Sequence, residues 1–376
     1  MHKKRGVLLV TGGYYPEING GGLQVRLIKN NLSNKFKAYV ISFSNKIESS
    51  ISDFFYKKSI IRIIIKKNIF NTLLAVLKII LYFAIYSNKI NIIHFRGYSR
   101  KVILICILNI ILNKKIIYAP TSYLHDDLES LKKKLNPIIF KFFINSVNCY
   151  IFMSPILLNS SKKFIKNVPS HVIQNMVNIN QYSYVLRKSK ETINILTIGF
   201  LSEIKNSYLT YQVFKKLIKD GYNLSLTYVG KKKFDYYLSD NTYEKIIKNA
   251  KNHNLLNKIN FIFETAEPEV YLHRADIFIF PSKTEGLANV ILEAMSTGLP
   301  TVIHNINNLS EFIVENEKDG LIVRNNNLES YYKCIKKILD SPTVRKNLSI
   351  NARKKVLKKF AVGVVMPEIE NIYDKI

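Results

Sequence analysis

The segment 276–303 constrains the fold of this chain more than any other stretch. It begins with four apolar residues, 277–280, which predict a buried strand. Pro281 ends that strand because proline has no amide hydrogen to give to a neighbouring strand. A helix with apolar residues at helical spacing is predicted next, ended by Gly298, and a short strand follows at 301–303. This order predicts a parallel sheet whose carboxyl edge carries the intervening loop, the place where α/β proteins bind ligands.

Two acidic residues stand out in this unit. Glu285 precedes a glycine in the loop, and Glu293 follows it by eight residues, inside the predicted helix. Eight helical residues span roughly 12 Å, so the two carboxylates can contact different parts of one elongated ligand. The amides between them are suited to an anion such as a diphosphate. The alternative, left open by spacing alone, is a helix-start acid at Glu285 and a solvated Glu293.

Four motifs in this segment carry a family resemblance. They are Pro281-Ser282, Glu285-Gly286, Glu293-Ala294-Met295 and Gly298-Leu299-Pro300. Together they resemble the signature of the retaining glycosyltransferases of family 4, the "group 1" family. The resemblance implies an α/β protein of the GT-B fold, with two Rossmann-like domains facing a central cleft. It implies an N-terminal acceptor-binding domain at 1–185, a nucleotide-sugar-binding domain at 186–360, and a C-terminal helix at 361–376 that crosses back to the first domain.

The resemblance also implies roles for single residues of the donor site. In the family the first glutamate faces the donor sugar hydroxyls, the second binds the nucleotide ribose, and the amides between them hold sugar and phosphate. Carried over to this chain, those roles fall on the following residues: Glu285, Glu293, Gly286, Leu287, Ala288 and Asn289.

A second donor-site motif follows the predicted strand 193–198. The loop 199–206 resembles the family's Gly-Arg-Leu and Glu-Lys-Asn loop, in which arginine and lysine neutralise the donor diphosphate. Lys205 occupies the lysine position, and we expect it to act with Glu285 in catalysis. Phe200 stands where the family has arginine. Another cation, such as Lys231 or Arg26, is then needed if the clamp is complete.

A glycine-rich loop follows the first predicted strand, 6–11. It ends in three glycines before a predicted helix, an arrangement that lets backbone amides approach a phosphate. The spacing fits neither a dinucleotide-binding fingerprint nor a nucleoside triphosphatase loop. The family resemblance implies that Gly21 and Gly22 close over donor phosphate and acceptor. The alternative is a flexible connector.

The net charge of +29 is extreme, with 56 Lys and Arg against 27 Asp and Glu. It favours a polyanionic partner such as nucleic acid, an anionic membrane or a phosphorylated substrate. A biased genome that scatters lysine among isoleucine and asparagine is the alternative. Zinc-ligand spacing, aromatic ribonucleoprotein motifs and compact arginine-rich runs are missing from the sequence, which makes nucleic acid the weaker hypothesis.

Cysteine usage and the start of the chain bear on the compartment. Cys106, Cys149 and Cys334 are far apart in apolar surroundings, which predicts buried thiols of a reducing compartment. The basic segment 3–5 precedes an apolar run too short for a signal peptide. We therefore expect a cytoplasmic protein, peripheral at the inner face of the cell membrane.

The segment 69–86 is apolar and long enough to span a bilayer. Lys78 near its middle favours a buried helix between two strands, and a helix lying on the membrane surface is an intermediate hypothesis. Further along, lysines 132–134 precede an apolar, aromatic stretch at 138–144. Such basic and apolar neighbours suit anionic lipid headgroups. A helix with a solvated basic face explains the same pattern.

The acceptor site is less defined by the sequence. His94 ends a predicted strand, but Arg96 stands where many family members have a second histidine, so His94 is predicted to be structural. Thr121 occupies a place where the family often has histidine or arginine. His125 or Asp126 can substitute, although a solvated helix start explains these two residues equally.

The resemblance implies transfer of a hexosyl unit from a nucleotide sugar, UDP-hexose or UDP-N-acetylhexosamine, with retention of configuration. The expected acceptor is a glycan or lipid-linked glycan in envelope polysaccharide synthesis: lipopolysaccharide, O-antigen or capsule. No Asp-x-Asp motif occurs, so a metal that holds the diphosphate is not expected. The resemblance implies no other cofactor. The alternatives are a sugar-nucleotide epimerase of the same fold and a non-catalytic basic protein that binds membrane or nucleic acid.

Overall fold

The computed structural model describes residues 4–15, 20–44, 59–64, 69–122, 125–165, 167–188, 190–232, 240–285, 288–306 and 309–376. The chain forms two compact units. The first comprises Met1–Met176 and Val362–Ile376, and the second comprises Val177–Ala361.

The first unit is built on a parallel sheet of seven strands over the described residues. Its strands, β1 to β7, are Arg5–Thr11, Phe36–Ser44, Ile60–Ile64, Ile92–Arg96, Lys115–Ala119, Cys149–Phe152 and Ser170–Val172. Their order across the sheet is β3-β2-β1-β4-β5-β6-β7. Strands β1, β2 and β3 are added toward one edge of the sheet, and β4 to β7 are added toward the other edge. The boundary between β1 and β4 is the strand reversal of this sheet, and the loops after these two strands diverge there.

Helices cover the sheet of the first unit. They are α1 (Gly20–Asn31), α2 (Ile69–Tyr86), α3 (Arg100–Leu112), α4 (Leu128–Lys134), α5 (Pro137–Ser146), α6 (Pro155–Ser161) and the C-terminal α14 (Val362–Lys375). One face of the sheet packs its alternate residues, such as Leu9, Ile92 and Ile117, against apolar residues of α1 and α14. Parallel strands buried in this way read as near-continuous apolar runs, as β1 and β4 do.

Helix α2 is long and apolar enough to cross a membrane by length and composition alone, as the segment 71–89 of the described chain. In the fold it connects β3 to β4 and buries one side, including Ile79 and Tyr82. Its other side is exposed, with Leu73 and Leu77 at 63% and 59% exposure. The arrangement is that of a helix between two strands of one sheet.

The second unit repeats the same plan, with six strands in the part of it that the structure describes. Its strands, β8 to β13, are Ile193–Ile198, Leu224–Val229, Ile259–Ile262, Ile277–Phe280, Thr301–His304 and Leu321–Val323. Its helices are α7 (Ser207–Lys219), α8 (Thr242–Asn252), α9 (Pro268–Arg274), α10 (Asn289–Ser296), α11 (Leu309–Ile313), α12 (Leu328–Asp340) and α13 (Pro342–Lys359). The strand order is β10-β9-β8-β11-β12-β13, all parallel, so the reversal falls between β8 and β11.

The division between the units follows Met176, whereas the sequence placed it after residue 185. The segment 177–185 lies with the second unit because its backbone is bonded there. Ser296 Oγ donates to Tyr182 O at 2.7 Å, and Val185 N donates to Thr297 O at 3.1 Å. The C-terminal helix α14 is part of the first unit, where Tyr373 OH lies 2.7 Å from His94 Nδ1.

Candidate donor site

The strand order of the second unit places two distant loops side by side. The loop after β8 carries Lys205 and the loop after β11 carries Glu285, and these strands are neighbours at the point of reversal. Lys205 Nζ forms an ion pair with Glu285 Oε1. Ser282 Oγ donates to the same oxygen at 2.9 Å. A lysine and a glutamate 80 positions apart are thus brought together at the carboxyl edge, where α/β sheets bind ligands.

Backbone contacts fix the position of Lys205. Its amide donates to Ser202 Oγ at 3.2 Å, and the next residue, Asn206, adopts a left-handed conformation with φ of 54°. The stem of Lys205 passes Gly199, whose φ of 151° favours glycine. The Lys205 ammonium lies 5.5 Å from the centre of the Phe280 ring, a cation–π contact.

The two loops are also tied to each other. Lys283 N donates to Ile204 O at 2.9 Å, which joins the Glu285 loop to the Lys205 loop. The Lys205 side chain is 25% exposed and that of Glu285 is 16% exposed. The pair is therefore held on a shared framework and remains open to a ligand.

Two further side chains support this loop that the sequence analysis did not single out. His304, at the end of β12, places Nδ1 3.0 Å from Ser282 O. Asn326 donates to Pro281 O at 3.1 Å and accepts from Asn206 at 3.2 Å. His304 ends β12 and Asn326 follows β13, so their proximity to Ser282 depends on the strand order of the sheet. The sequence feature that could have identified both residues is their position just after predicted strands.

Glu293 lies in α10 and is only 7% exposed, so the alternative that it is a solvated helix acid is wrong. Burial raises the pKa of Glu293 to about 7, and the nearby carboxylate of Glu269 adds to the increase. A hydrogen bond with Tyr182 opposes that shift of the pKa. Perturbed pKa values of this kind are frequent at functional sites, which makes Glu293 a candidate ligand-binding group.

The amides between the two glutamates lie partly outside the described residues. Gly286 and Leu287 belong to that undescribed part. Helix α10 begins at Asn289, and Ala288 stands at its cap without a side-chain cap hydrogen bond. The first amides of a helix have no partner within the helix and attract anions. The start of α10 therefore offers an anion-binding end close in sequence to Glu285.

The two candidate replacements for the missing family arginine have other contacts. Lys231 pairs with Glu264, with 2.8 Å between Nζ and Oε1, and is 41% exposed. It lies in the loop after β9, beside the Lys205 loop, since Leu201 N donates to Lys231 O. Arg26 belongs to the first unit and stacks on the Tyr15 ring at 4.3 Å.

In the first unit, Gly21 and Gly22 lie within helix α1, which begins at Gly20. The prediction that the glycines form a loop before the helix is therefore wrong for these residues. Glycine has no side chain to hinder a ligand. The N–H groups of the first turn of a helix have no partner within the helix and point beyond its N-terminus. Both glycines thus belong to an anion-attracting helix end, as part of the helix itself.

The acceptor candidates of the first unit differ in burial. His94 is fully buried, and burial together with Arg96 lowers its pKa to about 3, consistent with the predicted structural role. Asp126 is buried as well: its carboxylate accepts from Thr121 N, Thr121 Oγ1 and Ser122 N at 2.7–3.0 Å. It holds the loop after β5, so the solvated alternative is wrong for Asp126. His125 is exposed.

Comparison with known proteins shows the class of fold and a family match within the second unit. Over 99% of this chain and all of the other, the fold matches HepE of Anabaena, solved in complex with UDP and glucose, with a TM-score of 0.74 and 16% identity. The chain therefore has the GT-B fold, and the α/β prediction is confirmed. Residues 178–355 match the family "Glycosyl transferases group 1", which confirms the group 1 resemblance for the second unit.

Two curated proteins illustrate the similarity. The capsular polysaccharide biosynthesis glycosyltransferase CapM of Staphylococcus aureus is 24% identical over 180 residues, which is 47% of this chain and 45% of CapM. A UDP-Gal:alpha-D-GlcNAc-diphosphoundecaprenol alpha-1,3-galactosyltransferase of Escherichia coli is 34% identical over 102 residues, 27% of this chain and 26% of the other. The matches thus span less than half of each of these relatives.

Proposed function

We propose that this protein is a retaining glycosyltransferase that moves a hexosyl unit from a UDP-linked sugar to a glycan or lipid-linked glycan of an envelope polysaccharide. The observation that carries the proposal is the Lys205–Glu285 pair at the strand reversal of a group 1 domain, with Glu293 buried in the helix that follows. HepE, which has the same fold, was solved with UDP and glucose, which supports the choice of UDP.

In the proposed donor complex, each charged group has one role. The Lys205 ammonium and the first amides of α10 offset the negative charge that develops on the departing diphosphate. Glu285 exchanges its contact with Lys205 for the hydroxyls of the donor sugar and orients the sugar. The carboxylate of Glu293 accepts hydrogen bonds from the ribose.

Retention follows if the acceptor hydroxyl attacks from the face that the diphosphate leaves. The bond between the anomeric carbon and the phosphate oxygen breaks, the acceptor oxygen forms the new bond, and the departing phosphate oxygen takes the acceptor proton. This route needs no protein nucleophile and no metal. Product analysis by NMR distinguishes it, since the anomeric coupling of the product must match that of the donor.

A thermal-shift and calorimetric screen tests the proposed donor class. The full chain is titrated with UDP, GDP, ADP and their glucosyl, galactosyl and N-acetylglucosaminyl forms. We expect saturable stabilisation by UDP and a UDP-sugar, and its loss in Glu293→Ala. A protein that none of these nucleotides stabilises contradicts the proposal.

The similarity to CapM and to the galactosyltransferase that acts on a diphosphoundecaprenol-linked sugar supports a polysaccharide acceptor carried on a lipid. We further propose that the chain works in the cytoplasm at the inner face of an anionic membrane. The apolar–basic surface, defined as the exposed apolar residues of α2, α3 and α5, supports this location. They are Leu73, Leu77, Ile80, Ile107, Ile110, Ile111, Ile138 and Ile139.

Helix α2 packs beside α3, and α3 packs beside α5. Exposed cations stand on these helices or next to them in the chain, namely Arg100, Lys115, Lys141 and the lysines 132–134 of the adjacent α4. Apolar side chains that enter the headgroup boundary, next to cations that contact anionic lipids, are the two contributions that bind a protein to a membrane surface. The chemistry therefore fits an anionic bilayer.

Vesicle sedimentation tests the apolar–basic surface. Vesicles of phosphatidylcholine with phosphatidylglycerol should bind the protein, and pure phosphatidylcholine should bind it at least tenfold more weakly. The double variant Ile111→Glu with Ile138→Glu should lose binding, whereas Leu186→Glu, at a 70% exposed leucine of the second unit, should keep it. Equal binding by the double variant and Leu186→Glu contradicts the proposed surface.

A further inference from the structure

The first unit has its own strand reversal, and a buried arginine stands at it. Thr11 and Arg96 are paired at the carboxyl ends of β1 and β4, and Ser42 pairs with Thr11 from the other side. Paired residues of parallel strands point to the same face, so these three side chains form one row at the edge. They are between 0% and 5% exposed.

Arg96 has few hydrogen bonds for a buried guanidinium. Its Nη2 donates to Asn175 Oδ1, and its Nε has no partner among the described residues. No described carboxylate lies within ion-pair distance of it. The nearby Asp126 carboxylate favours the charged form of Arg96 from a distance, but its own hydrogen bonds go to Thr121 and Ser122. A buried cation without a direct ion-pair partner is unfavourable, and a ligand anion in contact with it relieves that cost.

Arg187 of the second unit shows what a structural buried arginine looks like in the same protein. Its guanidinium donates to the carbonyls of Ala275, Val185, Leu272 and Thr297 at 2.8–3.1 Å. Burial lowers the pKa of Arg96 and of Arg187 alike to about 10, so both carry a charge at neutral pH. The two residues differ in their partners, since Arg187 is satisfied by backbone oxygens and Arg96 is not.

The surroundings of Arg96 are polar and held in place. His94 lies two positions earlier on the same face, and its buried Nε2 has no described hydrogen-bond partner. The buried Ser42 hydroxyl also has no described hydrogen-bond partner. Gln24 of α1 donates to Met176 O at 2.8 Å and accepts from Met176 N at 3.0 Å. This double contact ties α1 to the residue that follows Asn175. The cluster is therefore preorganised, and it retains unused hydrogen-bonding capacity.

We propose that Arg96 anchors a binding site for a phosphate group of the acceptor substrate at the carboxyl edge of the first sheet, with Ser42 and the start of α1 beside it. This inference rests on the proposed function, because it assigns the acceptor a phosphate or diphosphate. Guanidinium groups bind phosphate through paired N–H donors, which Arg96 has to spare. A phosphate on the acceptor lipid and a phosphate on an acceptor sugar share this chemistry.

Binding of phosphate compounds to the full chain tests the site. Inorganic pyrophosphate, farnesyl diphosphate and glucose 1-phosphate are titrated in the presence of saturating UDP, which occupies the proposed donor site. We expect at least one of them to bind saturably, with affinity reduced at least tenfold in Arg96→Met and less in Arg96→Lys. Arg274→Met, at an exposed arginine that ends α9 in the second unit, should bind as the unmodified chain does.

The three probes separate the sources of the phosphate. Preference for farnesyl diphosphate identifies a lipid diphosphate, and preference for glucose 1-phosphate identifies a sugar phosphate. Equal binding by Arg96→Met and the unmodified chain overturns the proposal, as does failure of all three probes to bind. The titration is repeated without UDP in Glu293→Ala: binding there that still depends on Arg96 supports this site even when nucleotide binding fails.

Thermal unfolding without ligand separates a binding role from a structural one. Arg96→Met should unfold at the same temperature as the unmodified chain or higher, because an uncompensated buried charge is removed. Arg187→Met should unfold at a lower temperature. A fall in Arg96→Met as large as that in Arg187→Met shows a structural arginine and overturns the proposal.

Discussion

The two sheets of this protein share a strand order, and each has a cation at its strand reversal, but the cations differ in their partners. In the second unit Lys205 is paired with Glu285. In the first unit Arg96 has one asparagine as its partner among the described residues. The two proposed sites therefore differ: in the donor site the charges pair with each other, and in the acceptor site the cation has no ion-pair partner among the described residues.

The largest expected effect is a loss of sugar transfer when Lys205, the cation paired with Glu285, is replaced. Lys205→Met should lower the rate of sugar transfer about 10²–10³-fold, because the charge on the leaving diphosphate loses its main cation. Steady-state kinetics with saturating acceptor measure this. Lys283→Met is the matched control, since Lys283 lies in the adjoining loop and its ion pair among the described residues is with exposed Glu203 at 3.5 Å. Equal rates for the two variants would remove Lys205 from the mechanism.

The next largest expected effect is on the free energy of unfolding, and it distinguishes Arg187 from Arg96. Arg187→Met should lower the free energy of unfolding by about 3 kcal/mol, because the carbonyl oxygens around it lose their donors. Chemical denaturation measures the change. A loss under about 1 kcal/mol would show that the dense hydrogen bonding of Arg187 is not structural, and the comparison with Arg96 would fail.

The third effect is a pH dependence that originates at Glu293. Its pKa is raised from 4.5 to about 7 in the folded protein, so the folded state holds a proton that the unfolded state loses. Between these values the free energy of unfolding should fall as pH rises, by about 3 kcal/mol in total. Glu293→Gln should lack this part of the pH dependence.

Donor binding should show the opposite trend with pH. If the ionised Glu293 accepts the ribose hydroxyls, affinity for UDP rises from pH 5.5 to 8, by up to about tenfold per unit below pH 7. Denaturation curves and UDP titrations at several pH values measure both trends. An identical pH dependence in Glu293→Gln would contradict the assignment.

The smallest expected effect is a loss of donor affinity when the hydrogen bond from Ser282 to Glu285 is removed. Ser282→Ala removes one hydrogen bond to its carboxylate, a loss of about 1 kcal/mol, or roughly fivefold in donor affinity. Calorimetry with the UDP-sugar measures it. Ser202→Ala, which removes the bond to the Lys205 amide, should have a similar effect. A change above a hundredfold in either variant would mean that the hydroxyl itself contacts the donor.

The sequence predicted the strand and the helix on either side of the Glu285 loop well because these patterns are local. The strand 277–280 and the glutamates at 285 and 293 follow one another within a single strand, loop and helix, so apolar runs and spacing were sufficient. His304 and Asn326 were missed, since their contact with the Ser282 loop depends on which strands become neighbours. Sequence patterns of single elements do not contain that information.

The first unit was harder to predict for the same reason. The start of α1 was placed after its glycines, because glycine has a low helix propensity, and the structure includes them in the first turn. Asp126 gave no sign of burial, since its partners Thr121 and Ser122 precede it in an irregular loop. The isolation of Arg96 depends on Asn175, which lies 79 residues away in the chain.

Calorimetric titration of UDP into the full chain tests the central claim most directly, that the strand reversal of the second unit is a donor site. The account predicts one saturable site in the unmodified protein and in Arg96→Met, with affinity at least tenfold lower in Glu293→Gln at pH 8. Absence of UDP binding in the unmodified protein, or equal affinity in Glu293→Gln, would contradict it.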